Sequence, residues 1–202
     1  MCIRDRKEIE LIATSCQIVS DTLDMLSDHV KPGVKINDLD KMAEKFIINC
    51  GARPAFKGYM GFPATLCVSV DDEVVHGIPN DRILKEGQIV GIDCGAEKDG
   101  YFGDHARTFS VGNIANDKQK LMDITHKSLM LGIAEASPDN FVSDIGYAIQ
   151  SYVEKYGYSV VRELLGHGIG TELHEEPQIP NYGEPKQGYR LREGMCLSLI
   201  HI

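Results

Sequence analysis

Two aspartates, Asp93 and Asp104, lie in a stretch whose pattern is otherwise that of two strands joined by a tight turn. The stretch reads QIVGIDCGAEKDGYFGDHARTFSV. A turn centred on Lys98-Asp99 would pair the two aspartates directly. A turn centred on Asp99-Gly100, the favoured hairpin dipeptide, would make them diagonal neighbours on one face. Aspartate is depleted from strands, and like charges facing each other across a ladder are destabilising. The pair therefore predicts a compensating divalent cation.

Three histidines form the second group of candidate functional residues. His167 lies in GHGIG, where three glycines let the backbone bend and bring a ligand close to the imidazole. His174 follows before two glutamates, and His76 ends the apolar run in VVHGIP. Taken singly, each of the three is also compatible with a structural turn or a solvated loop. Together with two carboxylates, one imidazole suits a hard or borderline divalent metal, and the other two would serve proton transfer or substrate orientation.

The composition disfavours several other classes of protein. The chain has 202 residues, 43% of them hydrophobic, without an apolar run that could span a bilayer, so we expect a soluble protein. Thirty acidic against 21 basic residues give a net charge of −9, which disfavours nucleic acid or an anionic membrane as partner. Six cysteines without a CxxC pair and a charged N-terminus indicate the reducing cytoplasm.

Helices and strands must position these side chains. Apolar residues spaced alternately by three and four predict a first helix over about residues 6–30. A second helix, capped by Asn37 or Asp38, extends to about residue 50. The remaining predicted elements are strands at 65–70 and 73–76, the aspartate hairpin, helices at 116–136 and 142–156, and a strand at 158–165. This order predicts the α+β class, with helices covering a mainly antiparallel sheet in a single domain.

Several long motifs resemble those of the type I methionine aminopeptidases, which form subfamily A of peptidase family M24. They are GYMGFPATLCVSVDDEVVHGIP, ILKEGQIVGIDCGAEKDGYFGDHARTF, GHGIGTELHEEPQIPNYG and LREGM, in the family's order and at its spacing. The resemblance implies the pita-bread fold of creatinases and aminopeptidases. In that fold a curved antiparallel sheet is covered by helices and built from pseudo-twofold halves, of which the second would be incomplete here. It also implies a monomeric cytoplasmic enzyme that removes the N-terminal methionine from nascent polypeptides at the ribosome, preferably before a small second residue.

The resemblance implies two divalent metal ions, of Co, Mn, Fe or Zn. Asp93 corresponds to a ligand of one metal, Asp104 to the carboxylate that bridges both, and His167 to the one imidazole ligand. In the family the metals share a water or hydroxide that attacks the first peptide carbonyl, because coordination lowers the pKa of the water and polarises the carbonyl.

The same resemblance implies roles for five other residues. His76 and His174 correspond to histidines that contact the substrate and stabilise the tetrahedral intermediate or assist proton transfer. Tyr59, Phe62 and Cys67 correspond to the lining of the pocket for the methionine side chain, and an aromatic and sulfur lining suits a polarizable thioether. Plain core packing is the alternative interpretation of these three residues.

The two ends of the sequence depart from the family pattern. Ile200 stands where the family has a glutamate ligand, and a second glutamate ligand of the family would follow beyond the last residue. We therefore expect residues 1–5 and 196–202 to be non-native ends of a truncated reading frame. We also expect the 202-residue chain itself to be an inactive fragment.

Two other functions remain open at this point. A Xaa-Pro peptidase of the same fold would share the aspartate pair and the GHGIG histidine, although VVHGIP, DGYFGD and the missing large N-terminal domain argue against it. A non-catalytic pita-bread binding module that has lost its metals would explain the missing glutamates if both ends were native.

Overall fold

Residues 3–200 are described by the computed structural model, and they divide into two compact units. Unit A comprises residues 10–118, and unit B combines residues 3–9 with residues 119–200. Of the segments expected to be non-native, the two outermost residues at each end lie outside the described residues. No helix within residues 3–200 is long and apolar enough to cross a membrane.

Two helices supply one layer of unit A. Helix α1 spans Arg6–Ser27, of which residues 6–9 belong to unit B, and helix α2 spans Ile36–Asn49, close to the predicted bounds. The predicted cap of α2 was wrong, because Lys35 occupies the N-cap without a side-chain bond, and both candidate caps lie inside the helix. Asn37 instead donates from its side-chain amide to Asp81.

Four antiparallel strands form the sheet of unit A: β1 (Arg53–Pro54), β2 (Leu66–Val70), β3 (Gln88–Lys98) and β4 (Tyr101–Val111). Strand β3 is central, with β4 along one edge and with β1 and β2 sharing the other. The strand predicted at 73–76 was wrong. There the Glu73 carboxylate accepts the Val70 N–H at 2.8 Å and pairs with Arg82, which folds the segment into a turn.

The helices and the sheet of unit A enclose one apolar core. It includes Leu23, Leu26, Ile36, Leu39, Ile47, Leu66, Val90 and Ile92, all of them fully buried. Gly103 of β4 lies directly against α1, because an added Cβ would come within 2.4 Å of the backbone carbon of Ser15. The Ser15 hydroxyl also donates to the Tyr101 carbonyl at 2.8 Å. The hairpin of β3 and β4 is therefore held against the helix layer.

Unit B contains the helices α3 (Asn116–Glu135, which begins in unit A) and α4 (Val142–Glu154), and the strands β5 (Leu165–Gly168), β6 (Glu175–Pro180) and β7 (Leu197–Ser198). Strand β5 is central and antiparallel to β6 and β7.

The strand predicted at 158–165 was wrong, because β5 begins only at Leu165. The carbonyls of Val161 and Leu164 accept hydrogen bonds from the Asn181 side chain at 3.3 and 3.1 Å, so a side chain supplies their bonds. With antiparallel sheets and packed helices in both units, the predicted α+β class is confirmed.

Candidate metal centre

The turn of the hairpin in unit A decides how its two aspartates are placed. Lys98 pairs with Tyr101, so the turn is centred on Asp99-Gly100. Both turn residues have positive φ, +54° and +83°, which is the two-residue geometry that matches the twist of paired strands. Of the two registers predicted from the sequence, the structure therefore has the second.

Asp93 and Asp104 are diagonal neighbours on one face of the sheet. Asp93 pairs with Ala106, and Asp104 pairs with Gly95, two residues away on each strand. The Asp93 Oδ1 atom is buried and has no hydrogen-bond partner. Burial raises the pKa of Asp93 well above its ordinary value, and the negative charge of Asp104 raises it further. Two adjacent carboxylates, one of them with an enclosed oxygen, are donors that fit a divalent cation.

Cys67 lies beside this pair. It pairs with Asp93 from β2, so a row of side chains on one face runs from the thiol to the aspartates. Burial, together with the smaller effect of the charges of Asp93 and Asp104, raises the pKa of Cys67 to about 12. The thiol is therefore neutral at physiological pH, and it presents an apolar, polarizable wall next to the carboxylates.

Tyr59 and Phe62 lie on the loop between β1 and β2. The loop makes a short 3-10 turn at Tyr59–Gly61, and the Gly58 N–H donates to the Phe62 carbonyl at 2.8 Å. Tyr59 is 41% exposed, while Phe62 is partly buried. Among the described residues, the apolar core of unit A includes neither of them.

His76 lies in the loop that follows β2 in the sequence. Its φ is +59°, and the next residue, Gly77, accepts the Val68 N–H at 2.8 Å. A Cβ on Gly77 would come within 2.1 Å of the Val68 carbonyl oxygen, so only glycine allows this approach. His76 is thereby held, exposed, beside the strand that carries Cys67.

In unit B the structure brings His167 and His174 together. Their ring centroids are 4.3 Å apart at an interplanar angle of 50°. His167 is 6% exposed, and its Nδ1 lies 2.9 Å from the Gly168 carbonyl oxygen. Because a carbonyl only accepts, Nδ1 carries a proton, and a metal-binding imidazole is typically oriented by such a bond from its other ring nitrogen. His174 is exposed beside it.

Glu175, the residue after His174, is firmly held. Arg4 donates to both of its carboxylate oxygens at 2.5 and 2.7 Å, and the Glu172 N–H donates to it at 3.1 Å. Burial raises the pKa of Glu175, but these bonds outweigh burial and leave the pKa below its ordinary value. The start of β6, and with it the position of His174, is therefore fixed by a charged contact.

Ile200 lies two residues beyond the pairing of Ser198 with His167. If the extended backbone of β7 continued, residue 200 would be on the same face as His167 and diagonal to it, the relation that Asp93 has to Asp104. Strand β7 ends at Ser198, so the correspondence of Ile200 with a ligand position stays a prediction. Among residues 3–200, no three His, Cys, Asp or Glu side chains are grouped so as to hold a metal ion.

One residue near the candidate centre was not singled out from the sequence. Asp40 of α2 accepts the backbone N–H groups of Thr65 and Leu66 at 3.0 and 2.8 Å, at the start of β2. The available signal was an acidic residue next to the buried stripe of a helix, directly after the fully buried Leu39.

Residues 10–200 match metallopeptidase family M24. Over 193 residues the chain is 50% identical to methionine aminopeptidase 1 of Bacillus subtilis, and this match covers 96% of this chain and 78% of that protein. This chain belongs to family M24, among the methionine aminopeptidases. The M24 resemblance deduced from the motifs is thereby confirmed.

Solved structures of M24 proteins have the same fold. The methionine aminopeptidase of Rickettsia prowazekii is 43% identical with a TM-score of 0.95, covering 96% of this chain and 79% of that one. The methionine aminopeptidase of Thermotoga maritima is 38% identical with a TM-score of 0.96, covering 98% and 80%. A prolidase of Pyrococcus furiosus is 25% identical with a TM-score of 0.84, covering 96% and 56%. The predicted pita-bread fold is confirmed.

Proposed function

We propose that this M24 chain carries the site of a metal-dependent aminopeptidase that removes the N-terminal methionine from nascent polypeptides, preferably before a small second residue. The observation that carries the proposal is the row from Cys67 to the aspartate pair, where a neutral thiol adjoins two carboxylates. Such a row offers an apolar wall for a thioether next to the donors for a metal ion. The methionine aminopeptidases at up to 50% identity support the same substrate.

We assign Asp93, Asp104 and His167 as ligands of two divalent metal ions, of Co, Mn, Fe or Zn. The enclosed Asp93 oxygen and the proton on Nδ1 of His167 support this assignment. Bound metal would supply an activated water and a polarised scissile carbonyl. Burial raises the pKa of Asp93 well above its ordinary value, so a bound metal would compete with a proton at this carboxylate.

The other predicted residues take roles toward the substrate. Tyr59, Phe62 and Cys67 would enclose the methionine side chain and exclude water from it, which fixes the first peptide bond relative to the aspartates. His76 and His174 would contact the substrate backbone and hold or move a proton at an imidazole nitrogen. The proximity of His174 to His167 supports its role near a metal ligand.

The cellular setting follows from the family resemblance. We propose that the reaction takes place in the cytoplasm on nascent chains at the ribosome, and that the enzyme is a monomer. The net charge of −9 supports a peptide partner over nucleic acid or an anionic membrane.

A Xaa-Pro peptidase of the same fold is not favoured. The prolidase of Pyrococcus furiosus shares the fold at 25% identity, half the identity found with the methionine aminopeptidase of Bacillus subtilis. A metal-free binding module is the remaining alternative, and it differs from the proposal in needing no metal for ligand binding.

Calorimetric titration of the 202-residue chain with Met-Ala-Ser and with Ala-Pro, in Mn²⁺ and in EDTA, tests the proposal. We expect Met-Ala-Ser to bind only with Mn²⁺ and at least tenfold more tightly than Ala-Pro. Release of methionine, followed by mass spectrometry, is expected to be slight because Ile200 replaces a glutamate ligand of the family. Tighter binding of Ala-Pro would support a Xaa-Pro peptidase. Peptide binding that is equal in Mn²⁺ and EDTA would support the binding module.

A further inference from the structure

The loop that carries Tyr59 and Phe62 is fixed to the sheet at its beginning. The Ala55 N–H donates to the Gly95 carbonyl at 2.9 Å. The Phe56 ring lies over Gly95, where an added Cβ would come within 2.6 Å of its Cε1 atom. Gly95 is the residue that pairs with Asp104. The start of the loop is therefore held beside the aspartate pair.

The far end of the loop is held by Asp40. Its Oδ1 accepts the N–H groups of both Thr65 and Leu66, two residues that are fully buried. A carboxylate that accepts two backbone N–H groups makes charge-assisted bonds, which are stronger than bonds between neutral groups. The next residue, Cys67, pairs with Asp93. Asp40 thus fixes the point at which the loop enters the strand that faces the metal-binding carboxylates.

A second contact joins the same loop to the same helix. Lys57 donates to Glu44 at 2.6 Å, one helical turn after Asp40. Both residues of this ion pair are substantially exposed, with 47% and 30% of their side chains accessible, and exposed pairs contribute little to stability. The Asp40 contact is the partly buried one, and burial raises the pKa of Asp40 although both N–H bonds oppose that rise. Of the two contacts between this loop and α2, the Asp40 contact is therefore the stronger.

We infer that Asp40 is a positioning residue for methionine recognition, which holds the loop bearing Tyr59 and Phe62 and the adjoining Cys67 in place through the Thr65 and Leu66 amides. This inference rests on the proposed function. Asp40 acts through the backbone at the start of β2, so its loss changes the pocket for the side chain and leaves the carboxylates of β3 and β4 in place.

The test compares Asp40→Ala, Asp40→Asn and, as a matched control, Asp38→Ala, which removes an exposed acidic residue from the first turn of the same helix. Two quantities are measured on the 202-residue chain. The first is the ratio of affinities for Met-Ala-Ser and Ala-Ala-Ser with Mn²⁺, together with the affinity for Mn²⁺ alone. The second is hydrogen exchange at the Thr65 and Leu66 amides.

We expect Asp40→Ala to lower the methionine preference at least tenfold and to accelerate exchange at both amides, with Mn²⁺ affinity within twofold of wild type. Asp40→Asn keeps a weaker acceptor and should lower the preference only two- to fivefold, and Asp38→Ala should match wild type. If Asp40→Ala does not fold, Asp40→Asn decides, because its weaker neutral acceptor should speed exchange at the two amides and lower the preference two- to fivefold.

Two results overturn the inference while leaving the proposed function intact. The first is an unchanged methionine preference in a folded Asp40→Ala variant, or in an Asp40→Asn variant whose Thr65 and Leu66 amides exchange faster than in wild type. The other is a loss of Mn²⁺ affinity in parallel with the preference, which would indicate a general structural defect. A wild-type chain without any methionine preference would contradict the proposed function itself, and the inference with it.

Discussion

Replacing Asp93 by asparagine removes one charge from the aspartate pair and keeps the shape of the side chain. Diagonal neighbours on an antiparallel ladder lie about 7–8 Å apart, and two unit charges at that distance repel each other by about 2 kcal/mol at an effective dielectric constant near 20. Burial and this repulsion raise the pKa of Asp93, so protonation already relieves part of the cost. The metal-free variant should therefore be more stable than wild type by about 1–2 kcal/mol.

Thermal unfolding followed by circular dichroism, in EDTA and in excess Mn²⁺, measures both sides of this prediction. In EDTA the Tm of Asp93→Asn should exceed that of wild type by roughly 2–8 °C for a chain of this size. Mn²⁺ at 100 times its Kd should stabilise wild type by about 2.7 kcal/mol and should stabilise the variant little, because a ligand has been lost. The order of stability should therefore reverse when metal is added.

Asp99→Asn is the matched control for this experiment. It removes one charge from the same hairpin, at an exposed turn position with φ of +54° that asparagine tolerates well. Its Tm should stay within about 2 °C of wild type in both conditions. The reasoning is refuted if Asp93→Asn is less stable than wild type in EDTA and gains as much as wild type from Mn²⁺.

Three further predictions concern other parts of the chain. Ile200→Glu should raise the affinity for Mn²⁺ at least tenfold in calorimetric titration, because residue 200 lies two residues after Ser198, which pairs with His167. Ile200→Gln should not raise it, because only glutamate adds a charged ligand. Cys67 has a pKa of about 12, so at pH 8.5 it should react with iodoacetamide at least about 100-fold more slowly than the exposed Cys16, as measured by peptide mass mapping. Its rate should rise about tenfold for each pH unit up to pH 10. Equal rates for the two thiols would contradict the burial of Cys67. Gly103→Ala should lower the free energy of unfolding, measured in urea, by about 1–3 kcal/mol, because the added Cβ would meet the backbone of α1. In the control Gly91→Ala the nearest atom lies 3.8 Å from the added Cβ, so the free energy of unfolding should change by less than half as much. Similar losses in both variants would show that the contact with α1 is not responsible.

Local patterns predicted the aspartate pair well because a two-residue turn fixes the register of every position in its hairpin. Only the choice between Lys98-Asp99 and Asp99-Gly100 was open, and positive φ at both turn residues favours the dipeptide that ends in glycine. The helices α1, α2 and α4 were also predictable, since their apolar stripes are buried in the cores of the two units.

One wrong element and one overlooked residue depend on contacts between distant residues. The segment 158–164 has the composition of a strand, but the Asn181 side chain occupies two of its carbonyls. Asp40 reads as an ordinary helix residue, and its role becomes visible only when the start of β2 is placed beside it. No spacing rule within the sequence indicates such bonds from a side chain to a backbone 17 to 26 residues away.

Titration of the metal-free chain with Mn²⁺, followed by electron paramagnetic resonance of the free ion, measures whether the two aspartates and His167 bind metal. Wild type is compared with Asp93→Asn, Asp104→Asn and His167→Gln, with Asp99→Asn as control. The account predicts stoichiometric Mn²⁺ binding in wild type and in the control, and at least a tenfold loss of affinity in each of the other three. Equal Mn²⁺ affinity in wild type and those three variants would contradict it.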